Sequence, residues 1–305
     1  MIPKVIEVKN LTKRYGQFKA VDNISFEVYQ GEIFGILGEN GAGKTTTLEM
    51  IEGLRKPSEG EIKLLNHNIK NDLNLIKEKI GVQLQSSAYF SFLTLKEILN
   101  IFGQFYEKSL SAKELLKMVG LEKKANNIVN NLSGGQKQRF SIIASLVNDP
   151  EVVFLDEPTT GLDPLARRNL WKLITKIRDQ GKTIILTTHY LEEAEILCDR
   201  VAIMEKGKII KIGKTYQLIE ASSHPYKINF IVSTINKDIF VELANLGKIH
   251  NISGRSHHFE LRLKSQKDLN SSLKHLQALE PESFVVTRAS LEDLFIELTG
   301  KSIEE

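Results

Sequence analysis

EIFGILGENGAGKTTTLEMIEGL, residues 32–54, passes from an apolar run through a glycine-rich stretch into a segment of helical character. The apolar run before Gly38 is short and reads as a buried strand. GENGAGKT, residues 38–45, fits the spacing G-x-x-x-x-G-K-[ST]. Glycines in such a place let the backbone curl until several N–H groups point inward, and the following helix adds the positive end of its dipole. Phosphate is the group such a loop holds. Lys44 is expected to reach the β- and γ-phosphates and Thr45 to bind Mg2+ through its hydroxyl. Gly38, Asn40, Gly41, Ala42, Gly43 and Thr46 complete the expected cradle for ATP. A dinucleotide-binding turn fits less well, because its fingerprint lacks the lysine and threonine. A plain glycine-rich turn is the remaining alternative, and the strand–loop–helix setting weighs against it.

EVVFLDEP, residues 151–158, supplies a second half. Asp156 ends an apolar strand, where it is expected to hold Mg2+ directly or through water. Glu157 follows and is expected to orient and polarise a water, work that contributes ~10²–10⁴-fold in rate. Taken alone, a carboxylate pair at a strand end is as well explained by structure. The loop upstream tilts the balance towards chemistry.

Outward from these stretches the organisation is that of an α/β chain. VIEVKNLTKRYG and FKAVDNISFEVYQGE read as paired strands separated by turn residues. Asp163-Pro164 has the form of a helix start, and Leu170, Leu173, Ile174 and Ile177 then share one face until Gly181. TIILTTH, residues 183–189, is another buried strand. Alternating strands and helices predict a mostly parallel sheet covered on both faces. SSHPYK, residues 222–227, reads as a linker, giving domains 1–221 and 222–305 with a helical stretch over about 86–146. The second domain follows the order strand, helix, strand, strand, helix, strand, helix, a split β-α-β pattern in a small α+β domain. Its last helix begins at Ser290 with Asp293 three residues on.

Composition excludes several classes. A net charge of +3 over 305 residues is too small to argue for nucleic acid or acidic lipid. Cys198 is the sole cysteine, so no internal disulfide is available, which suits a reducing cytosol. No apolar run approaches the roughly 20 residues that span a bilayer, so a role at a membrane needs another chain.

LSGGQKQRF, residues 132–140, is by its residues only a capped helix start. Its place in a series says more. GENGAGKT, LSGGQ, VVFLDEP, GLDP and TTH, in this order and spacing, resemble the ATP-binding subunit of an ABC transporter over about the first 213 residues. The resemblance implies a P-loop, RecA-like core with an N-terminal antiparallel β subdomain and a helical signature subdomain. It also implies that two copies pack head to tail as a homodimer. Ser133, Gly134, Gly135 and Gln136 of one copy would then face the γ-phosphate held by the other. By the same match Tyr15 stacks on adenine, Asp163 links the two sites and His189 contacts the γ-phosphate. Gln85, with Gln83 as a nearby competitor, senses Mg2+ and the attacking water. The implied partner is an integral membrane permease, docked on the segment SSAYFSFLTLKEIL, residues 86–99. Tyr89, Phe90 and Phe92 there suit a docking surface or, equally, a buried hinge. The subunit would sit peripherally on the cytoplasmic face of the cell membrane.

NNIVNN, residues 126–131, lacks the acidic, glycine-containing stretch of fused exporters and fits a separate subunit. SLEDLFIELTGK, residues 290–301, resembles the subclass that exports drugs, antibiotics or polysaccharides. An import-type subunit is the alternative direction. A nucleic-acid or translation ATPase is the alternative class, but the chain lacks zinc cysteines, long coiled coils and a second cassette, so no nucleic acid is expected. His250, His257 and His258 read as solvated strand residues rather than metal ligands. The C-terminal region is expected to regulate or to dimerise.

Overall fold

The computed structural model describes residues 2–83, 89–90, 92–252 and 257–301. Contacts divide the chain into two units, one running through Gly213 and one starting at Lys214.

The first unit opens with β1 (Lys4–Tyr15) and β2 (Phe18–Tyr29), paired antiparallel. Ile24, Phe26 and Val28 point inward along β2 while Ser25 and Glu27 stay at the surface, the period-2 alternation of a half-buried strand. Next come β3 (Ile33–Leu37), α1 (Lys44–Ile51), β4 (Glu59–Leu64), β5 (His67–Asn68), α2 (Leu73–Lys77) and β6 (Ile80–Gln83). Three helices follow: α3 (Leu95–Gly103), α4 (Ala112–Met118) and α5 (Gly134–Ala144). The unit ends with β7 (Val152–Asp156), α6 (Pro164–Asp179), β8 (Thr183–Thr188), α7 (Leu191–Leu197), β9 (Arg200–Glu205) and β10 (Lys208–Lys214). β6 falls between α2 and α3, ahead of the helical stretch expected over about 86–146. That strand ends at Gln83, while Gln85 lies outside the described residues.

Two sheets result, ordered β2-β1-β4-β5 and β10-β9-β3-β8-β7-β6. The neighbours from β9 to β6 in the second are parallel. Every residue of β3, β7 and β8 is buried, as expected of parallel strands covered on both faces. The packing is close: a Cβ on Gly35 would lie 2.6 Å from Cys198 Sγ, so Cys198 is a core residue. The register decides where chemistry can happen. Leu37 pairs with Thr188 and Asp156 with Thr187. The loop after Leu37, the carboxylates ending β7 and the histidine after β8 therefore emerge side by side at one sheet edge. The carboxyl ends of parallel strands are where open α/β sheets bind ligands.

The helices of the 95–144 segment start where the sequence offers a Ser or Thr followed three residues later by Glu or Gln. Thr94–Glu97, Ser111–Glu114 and Ser133–Gln136 each form a reciprocal capping box.

The second unit contains α8 (Thr215–Glu220), β11 (Tyr226–Ile231), α9 (Lys237–Leu246), β12 (Gly247–Asn251), β13 (His258–Leu263), α10 (Gln266–Ala278), β14 (Ser283–Arg288) and α11 (Leu291–Thr299). Its sheet is antiparallel, ordered β12-β13-β11-β14. Ile228, Phe230, Leu243, Phe259, Leu261 and Leu276 make its core. The strand–helix order is the one the sequence predicts. The division falls at Lys214 rather than at Ser222, because α8 packs against α11 at the far end of the same unit.

Candidate nucleotide site

The loop after β3 can only be built around small residues. Gly41 and Gly43 have φ of +82° and +101°, where side chains are strained, and a Cβ on Gly43 would come within 2.5 Å of the Ala20 carbonyl. Gly43 caps α1, and Thr47 Oγ1 fastens the turn by donating to the Gly43 carbonyl at 2.8 Å. Lys44 folds back over the loop and donates to the carbonyls of Gly38 and Glu39 at 2.8 and 3.1 Å. Its ammonium is 3.4 Å from Glu157 Oε1. Burial lowers the Lys44 pKa, against the opposing pull of Glu157 and Asp156.

Asp156 ends β7 and is buried. Thr45 Oγ1 donates to its Oδ1 at 3.2 Å, and the Thr187 hydroxyl donates to the same oxygen. Burial raises the Asp156 pKa; the two hydroxyls and Lys44 oppose the rise, and Glu157 adds to it. A hydroxyl and a carboxylate converging at a helix start are hard oxygen donors, the set that suits Mg2+. The residues present therefore fit that ion.

Glu157 sits in the left-handed region with φ +46°, rare for a residue with a side chain. Thr187 holds it there: the Glu157 N–H donates to Thr187 Oγ1 at 3.0 Å and lies 3.2 Å from the Thr187 carbonyl. Turned this way, the carboxyl meets three groups. Oε1 is 3.2 Å from His189 Nδ1 and 3.4 Å from Lys44, and Oε2 accepts from Thr160 Oγ1 at 3.3 Å. Burial alone would raise the Glu157 pKa. His189 and Lys44 outweigh it, so the carboxyl stays below its ordinary value and ionised. The His189 ring lies tilted at 39° against Tyr190 with centroids 4.3 Å apart, and the Arg167 guanidinium lies over Tyr190 at 4.2 Å.

The structure thus brings Lys44, Thr45, Asp156, Glu157 and His189 together. Ser133, Gly134, Gly135 and Gln136 instead start α5. Ser133 is its N-cap, and Gln136 Oε1 accepts from the Ser133 N–H at 3.1 Å and from Lys124 at 2.9 Å. A Cβ on Gly134 would meet nothing within 4 Å, while one on Gly135 would lie 3.1 Å from Ala166 Cβ, so this helix start is open on the Gly134 side. Asp163 caps α6 by accepting from the Ala166 N–H at 2.9 Å. Tyr15 ends β1 and is 44% exposed, with Lys13 and Arg55 over its ring at 5.4 and 5.6 Å. Gln85 lies outside the described residues.

Two residues escaped the sequence reading. Thr187 binds both acids, and only the paired threonines before His189 hint at it. Glu193 on α7 is fully buried and accepts from Trp171 Nε1 at 3.1 Å; burial raises its pKa. A glutamate among charged helix residues reads as solvated, so no signal marked it.

A separate groove of about 600 Å³ lies between β6 and the helices of the 95–144 segment, and its lining includes Glu52, Leu54, Val82, Tyr89, Phe102 and Phe105. Tyr89 packs on Phe102 and Phe140, as a hinge would, while Phe90, Phe92 and Phe105 stand exposed.

A cradle after one strand, carboxylates after a second and a histidine after a third, all at one sheet edge, define a P-loop nucleoside triphosphatase. Comparisons with known proteins narrow the class. Residues 21–160 match the family model described as ABC transporter. The chain is 38% identical to the Nod factor export ATP-binding protein I of Burkholderia lata, over 98% of each chain. It is 34% identical to the linearmycin resistance ATP-binding protein LnrL of Bacillus subtilis, over 99% of this chain and 100% of that one. A dimeric ATP-binding cassette in a post-hydrolysis state, bound to ADP and Pi, superposes with a TM-score of 0.62 at 32% identity, over 68% of this chain and 98% of that one. The chain belongs to the family of ABC transporter ATP-binding subunits, and it binds and hydrolyses ATP.

Proposed function

We propose that two copies of this chain close head to tail over two ATP molecules and open on hydrolysis, driving an integral membrane permease in the direction of export. The carrying observation is the separation of parts. Lys44, Asp156 and Glu157 are buried together with half-buried His189 beside them, whereas Ser133 and Gly134 at the start of α5 are exposed. Such a helix start is an anion site in search of a phosphate, and a second copy supplies one.

Each residue then has a task. The N–H groups of residues 41–45 hold the phosphate chain, and Lys44 exchanges Glu157 for phosphate oxygens. Tyr15 offers its ring to adenine. Thr45 and Asp156, with Gln85 by family match, would hold Mg2+, which would supply positive charge to offset that of the phosphates. Glu157, kept ionised by His189 and Lys44, accepts a proton from the attacking water. His189 holds that carboxylate and the γ-phosphate in register. Ser133 and the glycines after it close the partner's site and exclude water. Asp163, at the start of α6, lies on the path between the two sites.

The groove beside Tyr89 receives a short helix of the permease, with exposed Phe105 in its lining. Docked there, the subunit is peripheral, on the cytoplasmic face of a membrane; no helix among the described residues is long and apolar enough to cross one. Two relatives whose names state export or resistance support the outward direction. The two units act as a catalytic domain and a C-terminal domain serving assembly. Light scattering tests the pairing: Glu157→Gln with saturating ATP is expected to run at twice the monomer mass. A monomer under those conditions contradicts it.

A further inference from the structure

The outer strand of the C-terminal sheet is left open. β14 lies beside β11 at the end of the order β12-β13-β11-β14, and all six of its residues are exposed. Phe284, Val285 and Val286 are 48%, 57% and 41% exposed. The register shows what this means. Phe230 pairs with Phe259 on one side and Phe284 on the other; Ile228 pairs with Leu261 and Val286. Directly opposed residues lie on the same face of a sheet. Phe284 and Val286 therefore continue two rows of the core, whose members on β11 and β13 are buried. α9 and α10 lie over β12 and β13, so the core layer runs off the sheet at β14. Natural edge strands are blunted by charges, prolines or bulges. Between Ser283 and Arg288 the only charge is terminal Arg288, engaged with Glu220 at 3.2 Å, and the pairing with β11 runs without a shift.

We propose that β14 pairs antiparallel with β14 of a second copy, joining two C-terminal sheets into one of eight strands. A two-fold axis normal to the sheet at Val285 sets that residue opposite its counterpart. It also sets Phe284 opposite the partner's Val286, and Val286 opposite the partner's Phe284. Both core rows are then continued by apolar side chains, and the helices of both copies stay on the same face. The occupant is a second copy because the strand is complementary to itself in this register. A strand pair of six residues is far below the roughly 1,200 Å² of a stable interface, so it needs help. The inference rests on the cassette pairing above, which tethers the two C-terminal units and raises their effective concentration to about the millimolar range.

Opposed residues on paired antiparallel strands have Cα atoms about 4.5–5.5 Å apart, within disulfide reach. The test uses Val285→Cys in the full chain carrying Glu157→Gln, with ATP and mild oxidant; buried Cys198 stays in place. A covalent dimer is expected. Val241→Cys on α9, where Val241 is 61% exposed, is expected to give none. Light scattering on the same samples reports cassette pairing separately. Dimer mass without the Val285→Cys crosslink overturns the strand pair and spares the cassette pairing; neither signal overturns both. Equal crosslinking at the two positions, or capture of a co-purified permease chain in place of the second copy, also overturns it. Phe284→Lys, at an exposed position, is expected to raise the ATP concentration for half-maximal dimerisation about tenfold, through loss of the tethered contact. An unchanged value contradicts the pairing.

Discussion

Buried polar groups are shared very unequally between the two units. The first buries Lys44, Glu52, Asp156, Glu157 and Glu193 at 8% exposure or less; the second, among the described residues, buries only the hydroxyls of Thr215, Ser222 and Ser272 to that degree. Burying charge costs stability unless every group is held by partners. The catalytic unit accepts that cost where parallel strands end, because a low-dielectric site makes charges act strongly on a phosphate. The C-terminal unit is built on an apolar core, and its charges are at the surface or, around Lys227, half-buried and paired with one another. Its contribution is to be sought on its surface, at the uncovered edge of β14.

Substitutions can break or sharpen this contrast. The largest effect is expected at Glu157. Glu157→Gln keeps ATP binding but lowers turnover by ~10²–10⁴-fold; steady-state hydrolysis near the wild-type rate would remove Glu157 from the role of base. Ser133→Arg comes next. It is expected to lower turnover by about 10²-fold, while nucleotide affinity of a single copy, measured by calorimetry, stays within about twofold, because it removes donors that act only in the closed state.

Away from β14, the second unit is expected to respond in stability alone. Lys227 sits 2.9 Å from Asp293 and 3.4 Å from Glu260, a largely buried cluster. Lys227→Met leaves Glu260 and Asp293 with Arg262 as their remaining cation, 2.6 and 3.5 Å away, and is expected to cost about 2 kcal/mol in the unfolding of that unit. ATP hydrolysis per cassette should not change. A fall in hydrolysis as large as the loss of stability would erase the contrast.

The smallest effect separates burial from catalysis within the first unit. Glu52 is 3% exposed, and burial, with Asp156 and Glu49 nearby, pushes its pKa up to about 8. The folded chain then holds a proton that the unfolded chain has lost, over the window from pH 4.5 to 8. Stability attributable to Glu52 therefore falls as pH rises through that window. Glu52→Gln is expected to flatten this dependence and to gain about 2 kcal/mol at pH 9. Thermal unfolding across pH 5–9 reads it, and parallel curves for the two proteins would contradict it.

The catalytic edge was legible because its chemistry is local. A loop of eight residues, 38–45, and a strand ending in two acids each carry their own geometry, and parallel pairing brings them together. Thr187 was not legible, since its two partners come from another strand and its role exists only in the register of β7 with β8. Glu52 and Glu193 were not legible either, because burial is a property of packing and nothing beside them in the chain announces it. The linker at SSHPYK was suggested by composition, yet α8 crosses to the second unit by packing on α11, a contact between distant residues. SFVVTR was readable as a strand; its place at the sheet edge was not, because strand order is decided by long-range pairing.

Mixing two inactive variants tests the shared site most directly. Lys44→Ala cannot hold ATP, and Ser133→Arg cannot close over the partner's phosphate. In a mixed pair, one site carries both defects and the other carries neither. Co-assembled at equal amounts, the two are expected to recover up to about a quarter of wild-type hydrolysis per chain, the share set by random two-fold pairing. Hydrolysis no higher than the sum of the separate variants, in a sample shown to contain mixed pairs, would mean that LSGGQ serves its own chain's nucleotide or none.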